Sequence, residues 1–422
     1  MGGIFDERKP CRLNISAFIA RRVAFNQQRS FSRFVIRLSV AATIISVAVM
    51  IITLAFASGF QETISRKVYS FWGHIRVQNY DAARVSIAEE TPISKNDSVS
   101  NLAKQFPEIR KVQVFATKNA ILKATESIEG VLFKGVENNY DFNNLKNFLI
   151  SGRWIRFPDS GYSNEINLSE TMARDLKLKV NDQVLIFFIQ PNGQAPRPRK
   201  LTIAGIFKTG IEEYDKLYAI GDLKLVQRLN NWDSTLVGGY EIFLNDPSKM
   251  DAMSRNIFPF LPVEMSSYTI KEINPAIFDW LSLQDYTIVI VLSIMIVIAL
   301  LNLITCLLIL VLERTRMVGV LKALGARNFT VQKIFLYHGA VITFTGLLFG
   351  NALGLFLAWL QQRYGFITLP EDAYYISQAA VNIVWWQVLL VNVFTFAVCF
   401  LLLLIPTFII QRIRPVKAIQ FR

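Results

Sequence analysis

Four apolar blocks punctuate the chain, at residues 38–60, 287–312, 339–360 and 387–410, and none contains Asp, Glu, Lys or Arg. Each exceeds the roughly 18 residues a helix needs to cross a bilayer. They predict four transmembrane helices, with a large domain between the first and second. The helical pattern of the first block runs on through Ile64, Val68 and Phe71, and residues 74–77 look like a first strand.

Within 61–286 the period changes. Strand-like runs fall at 111–116, 119–122, 128–134, 184–189, 200–207 and 240–244, and helical patterns at 98–105, 169–176, 223–229 and 247–257. Turn signals separate them at Gly135, at Ser151-Gly152, across 157–161 and at Asn192-Gly193. The expected fold is therefore a four-helix membrane bundle with a large mixed α+β domain inserted after the first span. Residues 192–198 are rich in Gly and Pro between two strand-like runs, which predicts a projecting hairpin tip or a plain solvated loop.

Residues 313–335 lie between the second and third spans and are amphipathic. Met317, Val320, Leu321 and Leu324 recur at helical spacing with Val318 beside them, and Arg316, Lys322 and Arg327 flank the stripe. One reading is a helix lying in the lipid interface. The other is a coupling helix that a cytoplasmic partner grips. Residues 14–22, with Ile15, Phe18 and Ile19 on one face, read either as a short interfacial helix or as an ordinary flanking anchor. In the third span Gly346, Gly350 and Gly354 lie four apart and allow close helix packing, inside the bundle or at a dimer seam.

Charge gives the orientation. Of the net charge of +13, residues 1–37 carry +6, 313–338 carry +4, 411–422 carry +4 and 361–386 carry −1, while 38–286 is neutral. The three basic flanks fall on one side, so the positive-inside rule puts both termini and 313–338 in the cytoplasm and the large domain outside. The excess charge thus reads as orientation and not as nucleic-acid binding. The resulting plan is a cytoplasmic lead-in (1–37), TM1 (38–60), the outer domain (61–286), TM2 (287–312), the coupling loop (313–338), TM3 (339–360), a short outer loop (361–386), TM4 (387–410) and a cytoplasmic tail (411–422).

Candidate chemistry is sparse. Cys11 lies on the lead-in, Cys306 and Cys399 lie in spans, and the outer domain has no cysteine to build a disulfide framework. His74 and His338 make no metal site and are expected to be structural. The first span is expected to act as an uncleaved signal anchor. No phosphate loop, nucleophile elbow or zinc motif occurs. The acidic pairs Glu89-Glu90 and Glu212-Glu213 read as solvated faces. Asn302, Thr305, Asn351 and Asn392 are neutral, and no ionisable group sits mid-span, which argues against a proton-coupled carrier or an ion channel.

One span, a large outer domain and three further spans resemble the FtsX-like (MacB-type) permeases of ABC transporters. The segment from Glu313 to Ala326 is similar to that family's most recognisable stretch, and Arg414-Pro415-Val416-Lys417-Ala418-Ile419 resembles its tail. Within the family the lipoprotein-releasing (LolC/LolE) permeases look most similar. That likeness extends to 18–22, Gly59-Phe60, Gly73-His74-Ile75, Ser151-Gly152-Arg153, Leu369-Pro370-Glu371-Asp372 and Tyr374-Tyr375.

The resemblance implies a non-enzymatic permease subunit in the inner membrane of a diderm bacterium, with no cofactor of its own. A separate LolD-like ATPase dimer would bind ATP and Mg and act through Glu313, Arg314, Arg316, Val318, Gly319, Leu321, Lys322, Leu324 and Gly325. A second permease subunit, identical or paralogous, would complete the complex, which would pass a lipoprotein to a LolA-like periplasmic carrier. Gln190, Pro191, Asn192, Gly193, Pro196, Arg197, Pro198 and Arg199 occupy the place of the family's carrier-docking hairpin, in a shorter loop. Rival readings are an FtsX-like mechanotransmission subunit and a non-transporting scaffold or sensor.

Overall fold

The structure is a computed structural model and describes residues 31–80, 89–124 and 127–402. The expectations for 14–22, for the end of the fourth apolar block and for the basic tail lie outside the described residues. Contacts divide the chain into two units. Among the described residues, a helical unit takes those of 31–60, 283–367 and 379–402, and a β-rich unit takes those of 61–282 and 368–378.

In chain order the first elements are α1 (Phe31–Trp72), β1 (Ile75–Asn79), β2 (Ile93–Ser94), α2 (Asp97–Ser100), α3 (Leu102–Gln105), β3 (Ile109–Lys123), β4 (Ile128–Val136) and β5 (Leu149–Gly152). Then come β6 (Glu165–Ser169), α4 (Glu170–Asp175), β7 (Gln183–Phe188), β8 (Arg197–Phe207), α5 (Glu212–Leu217), β9 (Tyr218–Asp222), α6 (Leu223–Asn230), β10 (Leu236–Val237) and β11 (Gly239–Leu244). The last are α7 (Met250–Ile257), β12 (Met265–Thr269), α8 (Ile270–Ile273), α9 (Pro275–Glu313), α10 (Thr315–Ala323), α11 (Asn328–Tyr364), α12 (Glu371–Tyr374) and α13 (Trp385–Leu402).

In the helical unit, α1, α9 and α11 are long and apolar enough to cross a membrane, and α13 is a shorter apolar helix. Helix α11 packs on α1 through its glycines. A Cβ at Gly346 would lie 2.5 Å from Thr43 Cγ2, one at Gly350 2.7 Å from Val47 Cβ, and one at Gly354 3.1 Å from Ala48 Cα. Three asparagines of the spans bond across helices. Asn302 Nδ2 donates to Ser39 O at 3.0 Å and to Ser39 Oγ at 3.1 Å, joining α9 to α1. Asn351 and Asn392 join α11 to α13, each amide donating to the other's Oδ1, at 2.6 and 2.8 Å. Hydrocarbon offers such groups no other partner.

The β-rich unit is built on a ten-stranded sheet in the order β12-β1-β11-β3-β4-β9-β6-β8-β5, with β7 pairing β3 and β8. Strands β3, β4, β9, β6, β8 and β7 therefore pair in a closed cycle. The 15-residue β3 takes in both strand-like runs at 111–116 and 119–122. The end of α1 is part of this unit's core: Ile64, Val68 and Phe71 are fully buried and Trp72 almost so. Phe71 stacks on Tyr214 (centroids 5.2 Å apart) and Trp72 meets Tyr218 edge-on (4.9 Å). Gly73 ends the helix with φ +74 and donates its N–H to Tyr69 O, a left-handed cap that turns the chain into β1.

Buried charge surrounds this helix end. Lys134 Nζ on β4 donates to Phe71 O at 2.6 Å, where the helix dipole favours a cation, and lies 2.6 Å from Glu241 Oε1 on β11. Burial pulls the Lys134 ammonium down and the Glu241 carboxyl up, and each opposes the shift of the other. Arg76 stands over the Trp72 and Phe115 rings, 4.6 and 4.3 Å from their centroids, and pairs with Glu90 at 2.8 Å. Glu89 pairs with Lys118 at 2.8 Å. The reading of Glu89-Glu90 as a solvated face is thus corrected. Their carboxylates also accept the backbone N–H groups of Asn119 and Thr117, which ties them to β3.

Candidate functional site

The junction between α9 and α11 carries the main candidate. Helix α9 runs to Glu313, Arg314 breaks it, and α10 follows from Thr315 to Ala323. Thr315 Oγ1 donates to Val311 O and Leu312 O, bracing the break. Gly325 ends α10 with φ +88; Gly325 N–H donates to Lys322 O and Ala326 N–H to Leu321 O. Only a glycine takes that left-handed position readily, and it lets α11 start at once from Asn328. Lys333 accordingly belongs to the opening turns of α11.

Helix α10 has two faces. Val318 is fully buried and Gly319 is buried, and Val318 packs with Leu307, Leu310, Val311, Val331 and Phe335. Met317 and Leu321 lie partly buried against the same cluster. Outward stand Arg316, Val320 at 45% exposure and Leu324 at 80%. Phe329 is also exposed, with Lys333 Nζ 4.6 Å from its ring centroid.

This corrects the sequence reading of the stripe. Val320 and Leu324 belong to the outer face, while Val318 and Gly319 are buried within the helical unit. Of the other expected coupling residues, Glu313, Arg316 and Gly325 are exposed, and Arg314, Leu321 and Lys322 are half-buried. The arrangement is a short helix rooted in the bundle that presents two aliphatic side chains and an arginine.

The second candidate is the hairpin between β7 and β8, whose register closes with Phe188 opposite Arg197. Pro191–Gly193 is a single 3-10 turn. Pro191, Gly193, Gln194, Ala195, Pro196 and Pro198 are exposed. Two of the expected docking residues face home instead. Gln190 is buried and donates to Phe188 O, and Arg197 Nη1 donates to Leu229 O at 2.9 Å and to Asn231 Oδ1 at 3.3 Å, at the end of α6. Arg199 Nη1 bonds its neighbour Pro198 O. The tip itself is uncharged.

His74 is buried, and its Nδ1 accepts the Leu244 N–H at 3.0 Å, linking the start of β1 to the end of β11. Burial and the nearby Arg110 lower its pKa to about 4, so it stays neutral. Among the described residues no cluster of three or more His, Cys, Asp or Glu could hold a metal. Sequence reasoning missed the Lys134–Glu241 pair. Its signal was present: a lone Lys inside the apolar run of β4 and a lone Glu inside that of β11.

Residues 38–257 match the family described as MacB-like periplasmic core domain, and residues 289–415 match the family described as FtsX-like permease C-terminal. The chain is 24% identical over 417 residues to the lipoprotein-releasing system transmembrane protein LolC of Xylella fastidiosa, spanning 95% of this chain and 97% of the relative. It is 22% identical over 428 residues to LolE of Haemophilus influenzae, spanning 97% and 100%. Among solved structures, the periplasmic region of MacB from Actinobacillus actinomycetemcomitans is similar over 48% of this chain and 91% of its own, at 12% identity and a TM-score of 0.33.

Proposed function

Because this chain belongs to the FtsX-like permease family of ABC transporters and carries the MacB-like periplasmic core domain, we propose that it couples a separate cytoplasmic ATPase to the release of lipoproteins from the inner membrane to a periplasmic carrier. It is a multi-pass membrane protein and a non-catalytic subunit. In this reading both termini and α10 are cytoplasmic, in a diderm bacterium. A LolD-like ATPase dimer holds the ATP and Mg, and a second permease subunit, identical or paralogous, completes the membrane assembly. A LolA-like carrier receives the lipoprotein.

The observation that carries this reading is the two-sided α10. A partner that closes around Val320, Leu324 and Arg316 moves a helix whose other side, Val318 and Gly319, is seated in the core of the bundle. Displacement there has to be taken up by α9 and α11, because packed interiors do not deform continuously. Carrier docking at the 190–199 hairpin would rest on its uncharged Pro-rich tip, since Arg197 is bonded to the domain itself.

The test is copurification. Val320→Glu with Leu324→Glu alters two exposed side chains and leaves the core intact. The double variant should fold, sort to the membrane and lose its ATPase partner from the solubilised complex. Undiminished ATPase recovery and activity would overturn the coupling assignment. Depletion of the protein should strand lipoproteins in the inner membrane, and normal sorting would overturn the transport assignment.

A further inference from the structure

Residues 368–378, between α11 and α13 in the chain, form a small closed structure. Thr368 and Gln378 face each other in an antiparallel bridge, and Leu369 N–H donates to Ser377 O at 3.0 Å. Just outside it, Gln361 near the end of α11 binds both flanks: its Oε1 accepts Ile367 N–H at 3.0 Å and its Nε2 donates to Ala379 O at 3.0 Å. Residues 368–378 themselves count within the β-rich unit.

There they are gripped at several points. Glu371 Oε2 lies 2.8 Å from Lys208 Nζ and Glu371 Oε1 lies 3.8 Å from Lys67 Nζ. Lys67, on α1, donates to Tyr375 O at 2.6 Å. The Tyr375 hydroxyl donates to Glu213 Oε1 at 2.9 Å, and its ring meets Trp280 on α9 edge-on at 5.7 Å. The fit is close. A Cβ at Gly210 would collide with Lys67 Nζ and Glu371 Oε1, and Gly210 itself takes φ +73. Glu371 is mostly covered, at 23% side-chain exposure, so its ion pairs are less screened than surface pairs.

We propose that residues 368–378 are a clamped strut through which α11 and α13 act on the periplasmic unit, with Glu371 as the clamp. The inference rests on the ATP-coupled reading above. Helices α1 and α9 already run between the two units in the chain; the strut is a third covalent route, and it engages Lys67 of α1 and Trp280 of α9. A stiff closed loop bonded at both ends transmits displacement, and a floppy loop of the same length would absorb it.

The experiment uses the complete complex in nanodiscs with a bound acylated lipoprotein. Three chains are compared: wild type, Glu371→Lys, and Glu371→Lys with Lys208→Glu. ATP-dependent release should fall by roughly tenfold in the single variant, while ATPase activity and thermal stability hold, and the double variant should recover most of the loss. Release at the wild-type rate from Glu371→Lys, or no recovery in the double variant, overturns the strut and leaves the transport reading standing. If the wild-type complex hydrolyses ATP and releases no lipoprotein, the transport reading fails and the strut is judged by hydrogen exchange. Exchange across residues 208–215 should then differ between nucleotide-free and ADP–vanadate states in wild type and not in Glu371→Lys. The same response in both chains overturns it.

Discussion

Lys134 and Glu241 meet at 2.6 Å across β4 and β11 with both side chains shut off from water, and the same ammonium bonds the last turn of α1 at Phe71 O. Desolvating two charges is costly, so the pair is stable only while complete. Lys134→Met leaves the buried Glu241 carboxylate without its ion-pair partner and should cost about 3–5 kcal/mol. Lys134→Met with Glu241→Leu should recover most of it, because an apolar pair of similar volume needs no counterion. Thermal unfolding of the purified full-length chain measures both. Equal loss in the single and double variants would show that the Phe71 contact, and not the ion pair, dominates.

His74 makes stability depend on pH with a definite sign. In the unfolded chain its imidazole takes a proton near pH 6.5, and in the folded chain only near pH 4. Between these values the unfolded state binds more protons, so acidification favours unfolding. The contribution is complete above pH 6.5 and declines as the pH falls to about 4, by roughly 3 kcal/mol at most. His74→Asn keeps an acceptor near Nδ1 and removes the titration. The difference in melting temperature between wild type and variant should shrink toward pH 4. A constant difference from pH 7 to pH 4 would refute the role given to His74.

Gly350 lies against Val47, and a Cβ there would come within 2.7 Å of Val47 Cβ and 3.0 Å of Ile44 O. Since backbone as well as side chain blocks the space, Gly350→Leu should separate α11 from α1 and cost upwards of about 3 kcal/mol. Leu348→Ala, at a side chain 57% exposed on the same helix, should leave stability nearly unchanged. Size-exclusion profiles and melting curves of the two variants in detergent provide the comparison. Similar behaviour of the two would refute the packing role.

Much of this was written locally in the chain. The runs at 128–134, 200–207 and 240–244 lie within β4, β8 and β11, and the helical pattern at 223–229 lies within α6. Such elements follow from residue period alone. The pattern broke where distant residues intervened. Thr117 and Lys118 interrupt the apolar run of β3, yet the strand runs on because its ladder with β4 continues through them, and Glu89 and Glu90 bind that polar step. Helix α10 misled for a related reason. It is apolar on both sides, so spacing marked an apolar stripe without telling the face rooted in the bundle from the face left outside. The grip on Glu371 had no local signature either, since Lys67 and Lys208 lie far from it in sequence.

Asn351 and Asn392 trade amide hydrogen bonds between α11 and α13. Such an exchange works like a peg in a rack. Sliding one helix past the other by a single turn would move the two amides about 5.4 Å apart and break both bonds at once, with no water at hand to replace them. The two helices therefore keep one axial register, and any stroke that reaches α11 carries α13 with it as a single lever.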